Sequence, residues 1–97
     1  RMSDYVTEAV KAMNEKMDGQ GFDGTAKFEI AGEGSFIVDQ NGAHAGDEEA
    51  EVTLSADAET FKSILDGDLD PTSAFMSGKL AIDGDMGKAM QLAQVLN

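Results

Sequence analysis

Apolar positions along this chain recur with two alternating periods, and each change of period falls at glycine, proline, aspartate or serine. Over residues 3–18, Val6, Val10, Met13 and Met17 recur at spacings of four, three and four, with Ala9 beside them and Glu8, Lys11, Glu15 and Lys16 elsewhere. This predicts an amphipathic helix of about four turns, capped by Ser3 and stopped by Gly19. Residues 25–31 then alternate, with Ala26, Phe28 and Ile30 on one face and Lys27 and Glu29 on the other. Gly32, Glu33 and Gly34 turn the chain into residues 35–40, where Phe36 and Val38 share a face. Asn41-Gly42 signals a type I′ turn, with positive φ at both residues, into a weak strand at 43–45. Three antiparallel strands with one apolar face need a helical layer on that face to stay folded.

The second half alternates periods again. Residues 50–56 read as a strand through Val52 and Leu54. Ser55 or Asp57 caps a helix whose stripe is Phe61, Ile64 and Leu65, and Gly67 stops it. Asp70 caps a one-turn helix with Pro71 at its first position, where the missing N–H costs nothing, and Gly78 ends it. Residues 79–83 alternate with Leu80 and Ile82 on one face. Gly84 breaks that strand, Asp85 caps the terminal helix, and Met86, Ala89, Met90, Ala93 and Leu96 follow at helical spacing. Leu92 and Val95 widen this stripe, leaving Lys88, Gln91, Gln94 and Asn97 as the clearly polar positions. Such a stripe can cover a sheet and still present side chains elsewhere. The strand, two helices and strand of this half predict a βαβ-type crossover, right-handed if its strands are parallel. The class is α+β.

Composition bounds what the fold can do. The chain has 97 residues, enough for one core, and a single domain is expected over 2–97, with Arg1 ahead of Met2 set outside it. The 19 acidic against 7 basic residues give a net charge of −12, which repels nucleic acid and anionic membrane surfaces. The acid chiefly provides solubility. Cysteine is absent, which excludes disulfides and thiolate chemistry and suits a reducing cytoplasm. No apolar run is long enough to span a bilayer, and no signal-peptide core is present.

Candidate chemistry fails on context. Residues 19–24 (GQGFDG) fit G-x-G-x-x-G, but they follow a helix and precede a strand, the reverse of a dinucleotide site, and read as a flexible connector. Asp66, Asp68 and Asp70 open like a calcium loop, yet Pro71 stands where the sharp turn needs glycine and Ser77 where a bidentate glutamate belongs. The run Asp47, Glu48, Glu49 and Glu51 reads as a solvated acidic loop rather than a coordination cage. His44 is the one histidine and falls on an expected edge strand, so neither an imidazole relay nor a histidine metal site can be assembled. No serine sits in a nucleophile elbow. Neither catalytic residues nor a metal or cofactor is expected. The methionine pairs Met13/Met17 and Met86/Met90 and the five phenylalanines form a supple apolar set, suited to flexible hydrocarbon as well as to a core.

One stretch carries a family resemblance. Pro71, Ala74, Phe75, Gly78, Lys79, Leu80, Ile82, Gly84, Met86, Ala89, Met90 and Leu92 match the pattern Pro-x-x-Ala-Phe-x-x-Gly-Lys-Leu-x-Ile-x-Gly-x-Met-x-x-Ala-Met-x-Leu. The run resembles the lipid-carrier domain of the sterol carrier protein 2 family, and the likeness extends upstream through residues 52–67 and more loosely over the whole chain. The resemblance implies a five-stranded, mostly antiparallel sheet with helices on one face and a hydrophobic tunnel between the layers. It also implies a non-enzymatic, cytoplasmic carrier of a sterol, fatty acid, acyl-CoA or similar lipid. On that basis the expected lining is Phe28, Phe36, Phe61, Ile64, Leu65, Phe75, Met76, Leu80, Ile82, Met86, Met90 and Val95, each of which also suits a plain core. Ser77 stands where the family often carries glutamine, and the acidity departs from basic eukaryotic members. The C-terminal Val95-Leu96-Asn97 is no peroxisomal signal, so the stand-alone bacterial domain is the natural comparison. The alternative function is an accessory subunit that presents a lipid, such as a quinone precursor, to partner enzymes. A third is a scaffold whose tunnel has collapsed. Beyond the lipid, at most transient membrane contact, a possible enzyme partner and a monomer or weak dimer are expected.

Overall fold

The computed structural model of the chain describes residues 4–96. The element order is α1 (Asp4–Met17), β1 (Ala26–Ile30), β2 (Gly34–Asp39), β3 (Gly42–Ala45), β4 (Val52–Ala56), α2 (Ala58–Leu65), α3 (Pro71–Met76), β5 (Ala81–Gly84) and α4 (Met86–Leu96). The expected cap of α1, Ser3, lies outside the described residues. Its stop is sharper than one glycine, because Asp18 at φ 51° and Gly19 at φ 81° both turn left-handed.

The five strands form one sheet in the order β3-β2-β1-β4-β5. All neighbours are antiparallel except β1 and β4, which run parallel with Phe28 opposite Leu54. The expected crossover between β4 and β5 is therefore corrected. These two are adjacent and antiparallel, Leu54 facing Ile82, so α2 and α3 form a return excursion to which the handedness rule does not apply. The parallel pair arises instead because residues 46–51 carry the chain from edge strand β3 across to β4.

That passage is the expected solvated acidic loop, with Asp47, Glu48, Glu49 and Glu51 all exposed, and it also acts as a strap. Lys27, Ser35 and Ile37 lie on the outer face of the sheet. Ser35 Oγ donates to the Gly46 carbonyl at 2.7 Å and to Asp47 Oδ1 at 3.2 Å, and Lys27 Nζ lies 3.2 Å from the same carboxylate. The strap buries Ile37, the one large apolar side chain on a face that is otherwise polar. At its end Glu51 and Thr25 exchange bonds, Thr25 N–H to Glu51 Oε1 at 3.0 Å and Glu51 N–H to Thr25 Oγ1 at 2.9 Å, which locks the starts of β1 and β4 together.

The turn into β3 is also not type I′. Asp39 pairs with Gly42, so Gln40 and Asn41 are its central residues, and among the described residues of this turn positive φ occurs at Gly42 (105°), not at Asn41. The Asn41 N–H donates to Asp39 Oδ1 at 2.9 Å, and glycine accommodates the twist one residue later, as in a turn closed by a bulge. The connector 19–24 is pinned rather than free: Phe22 is buried and its N–H donates to the Asp39 carbonyl at 3.0 Å.

The core fills the space between the inner sheet face and the helices. Phe28 and Phe36, paired across β1 and β2, stack with centroids 4.7 Å apart, and Phe61 from α2 tilts onto Phe28 at 5.4 Å. Val6, Ala9, Met13 and Met17 of α1 close over the β3 side, while Ala89, Leu92 and Leu96 of α4 close over the β4–β5 side. Helix caps fall where the polar residues predicted them. Asp57 settles the choice for α2, accepting the Thr60 N–H at 2.8 Å, and Asp70 and Asp85 cap α3 and α4 through the N–H groups of Ser73 and Lys88.

Candidate functional site

The wide apolar stripe of α4 divides in the structure. Ala89, Leu92 and Leu96 are buried, whereas Met86 is 46% and Met90 69% exposed. Successive helical residues are about 100° apart, so Met86, Ala89, Met90 and Ala93 form one edge of the helix, beside the core-facing line. That edge looks across an open cleft to α3, where Phe75 is 41% exposed. The cleft has a volume of about 270 Å³, with Leu54 and Ile82 of the paired β4 and β5 and Leu80 at its base and Pro71 and Thr72 at the start of α3.

The expected lining residues separate into groups. Phe75, Leu80, Ile82, Met86 and Met90 converge on the cleft. Phe28, Phe36, Phe61 and Ile64 are core, exposed by 2% or less. Phe61 and Leu65 also reach a second groove of about 210 Å³ between α1 and α2, rimmed by Tyr5, Glu8, Lys62 and Asp66. There Lys62 and Asp66 pair at 2.9 Å across one helical turn, and the carboxylate raises the pKa of the lysine. Met76 projects from α3 at 80% exposure and does not line the cleft, and Val95 packs half-buried against the core.

Sequence reasoning missed Leu54, Pro71, Thr72, Ala89, Ala93 and Leu96 as lining. The alanines were within reach, since they share the helical edge of Met86 and Met90, but a search for bulky apolar residues passes over small ones. Leu54 joins only because β4 pairs with β5, a long-range event that spacing does not encode.

The cleft is electrostatically plain. Thr72 supplies the polar side chain of its lining. Both short loops that open onto it present carboxylates, Asp70 and Asp85, already engaged as helix caps. Lys88 leaves the far side of α4, its ammonium 2.5 Å from the Asp23 carbonyl oxygen, tying the helix to the connector before β1. Of the suspected calcium carboxylates, Asp66 pairs with Lys62 and Asp70 caps α3. No helix among the described residues is long and apolar enough to cross a membrane.

Comparison with known proteins agrees with this architecture. The chain is 43% identical over 81 residues to hydroxysteroid dehydrogenase-like protein 2 of Danio rerio, an alignment covering 75% of this chain and 20% of that protein. The chain thus spans about a fifth of the length of the curated relatives it matches. Among solved structures, the sterol carrier protein domain 2 of Helicoverpa armigera superposes with a TM-score of 0.78 at 22% identity, covering 99% of this chain and 91% of that one. Sterol carrier protein 2 of Aedes aegypti in complex with palmitate superposes with a TM-score of 0.77 at 20% identity, covering 98% and 96%. The model of the SCP-2 sterol transfer family matches residues 7–97, and the chain belongs to that family.

Proposed function

We propose that this chain is a non-enzymatic lipid-binding and transfer domain that receives the apolar body of a sterol, fatty acyl or similar lipid in the cleft between α3, α4 and the β4–β5 edge. The observation that carries this is the convergence of Phe75, Met86 and Met90, each more than a third exposed, on one cleft over Leu80 and Ile82. Large apolar side chains gathered at a concave site mark a binding surface, and methionines adapt to flexible chains. The palmitate complex of the Aedes aegypti relative supports a lipid as the ligand class.

A cleft of about 270 Å³ has room for about nine groups of water size, at ~30 Å³ each. At ~0.8 kcal/mol per buried CH₂ that is about 7 kcal/mol gross, before ordering costs. The tunnel is proposed as a deepening of this cleft toward Leu54 and Leu96, with the exposed Met86 and Met90 as its wall. No more than transient membrane contact belongs to the same proposal, supported by a charge of −12 that anionic leaflets repel, as does a cytoplasmic location, which the absence of cysteine suits.

Met90→Trp places a bulky ring at the cleft mouth and is expected to weaken uptake of a fluorescent long-chain lipid by about tenfold. Unchanged uptake would remove α4 from the ligand site. A second proposal, lipid presentation to partner enzymes, is favoured by the relatives' lengths, since in them the related region is about a fifth of a dehydrogenase-like protein. Native mass spectrometry of protein purified from cells separates the two: co-purified lipid alone supports a carrier, and a stable enzyme partner supports presentation.

A further inference from the structure

We infer, on the proposal that the α3–α4 cleft is the lipid site, that it selects long-chain lipids with an uncharged polar head, such as an alcohol, over those ending in a carboxylate. Proteins recognise such anions chiefly through cationic side chains and through helix N-termini. Around this cleft each helix start already carries a capping carboxylate, and no lysine is among the lining residues. Helices α3 and α4 do begin at lining residues, Pro71 and Met86. Pro71, however, has no N–H to offer, and Asp70 Oδ2 already accepts the Ser73 N–H at 2.9 Å. Asp85 Oδ1 likewise accepts the Lys88 N–H at 3.1 Å. An incoming carboxylate would meet a resident carboxylate at each helix start.

The lysines are placed with equal consequence. Lys88 lies about 200° around α4 from Met86 and donates to the Asp23 carbonyl. Lys62 pairs with Asp66 beside the other groove, and Lys27 pairs with Asp47 on the outer face of the sheet. Lys11 and Lys16 belong to α1, and Lys79, although it follows α3, is not among the lining residues. What remains for a head group is the Thr72 hydroxyl, which can donate to or accept from an alcohol or carbonyl. An anion brought there loses hydration with no cation among the described lining residues in exchange, inside the field of a molecule carrying −12.

The test compares dodecanol with dodecanoate, equal in chain length, as displacers of a neutral fluorescent lipid at mildly alkaline pH. The expected result is that dodecanol binds at least about tenfold more tightly. The preference should survive high salt, because short-range desolvation is screened far less than the long-range field. Dodecanoate binding as tightly as dodecanol, or more tightly, overturns this selectivity while leaving the lipid proposal standing. Failure of both to bind overturns the lipid proposal and the selectivity with it. Thr72→Lys supplies the cation the lining lacks, and it is expected to shift the ratio of affinities toward dodecanoate by about tenfold. An unchanged ratio overturns the selectivity.

Discussion

His44 and Asp39 lie diagonally on the outer face of the β2–β3 hairpin, with His44 Nε2 3.0 Å from Asp39 Oδ2. The hydrogen bond to the carboxylate raises the histidine pKa above its ordinary 6.5. The same bond, with the Asn41 N–H, lowers Asp39 below 3.8. The raised histidine contributes stability that is full below about pH 6.5 and fades as pH rises through its folded pKa. The lowered aspartate contributes above about pH 3.8 and loses that contribution as pH falls through its folded pKa, so the pair is fully effective between these limits. Because His44 is the single histidine, its ring resonances titrate alone in an NMR spectrum. The midpoint is expected above 6.5 and should fall in Asp39→Asn; a wild-type midpoint at or below 6.5 would mean that the pair does not persist in solution.

At the scale of elements, edge strand β3 shows how a helix can finish a sheet. The Asn14 carboxamide of α1 accepts the Ala43 N–H at 2.8 Å and donates back to the Ala43 carbonyl at 2.9 Å, as a further strand would. An edge whose backbone groups are occupied in this way is a poorer template for association with another chain. Asn14→Ala removes two hydrogen bonds and gains helix propensity, for a net loss of about 1 kcal/mol. For a domain of this size that is a fall of about 4–8 °C in Tm. Hydrogen exchange at the Ala43 amide should quicken as well, and an unaltered rate there would show that the edge is protected by other means. The α4 helix makes the opposite use of its surface. Ala89, Leu92 and Leu96, with Val95 half-buried beside them, anchor it in the core, while its Met86–Met90 edge stays open to the cleft.

The described residues span 31 × 27 × 24 Å, so at low ionic strength, where the Debye length is about 30 Å, their carboxylates lie within range of one another. The four ion pairs among the described residues each have at least one well-exposed partner, so their attraction is weak beside the repulsion that a net charge of −12 implies. Raising sodium chloride from about 0.01 to 0.5 M should therefore stabilise the fold, by several degrees in Tm. A Tm that stays level or falls would show that the pairs outweigh the repulsion. At this scale the line between sequence and structure is also clear. Local chemistry by itself determined the helix starts at Asp70 and Asp85, narrowed that of α2 to Ser55 or Asp57, and set the strand faces through Phe28, Phe36 and Leu54 and the family motif around Phe75 and Leu80. Caps and period act within a turn or two of chain, so the sequence carries them in full. Tertiary structure alone decided that β4 lies parallel to β1 and antiparallel to β5, that the 46–51 strap buries Ile37, and that Gln40 and Asn41, rather than Asn41 and Gly42, are central to the β3 turn. It likewise sent Phe28, Phe36 and Phe61 to the core while Met86 and Met90 went to the cleft. An apolar side chain is indifferent to which apolar surface it meets, and only the packing of elements distant in sequence settles whether that surface is protein or ligand.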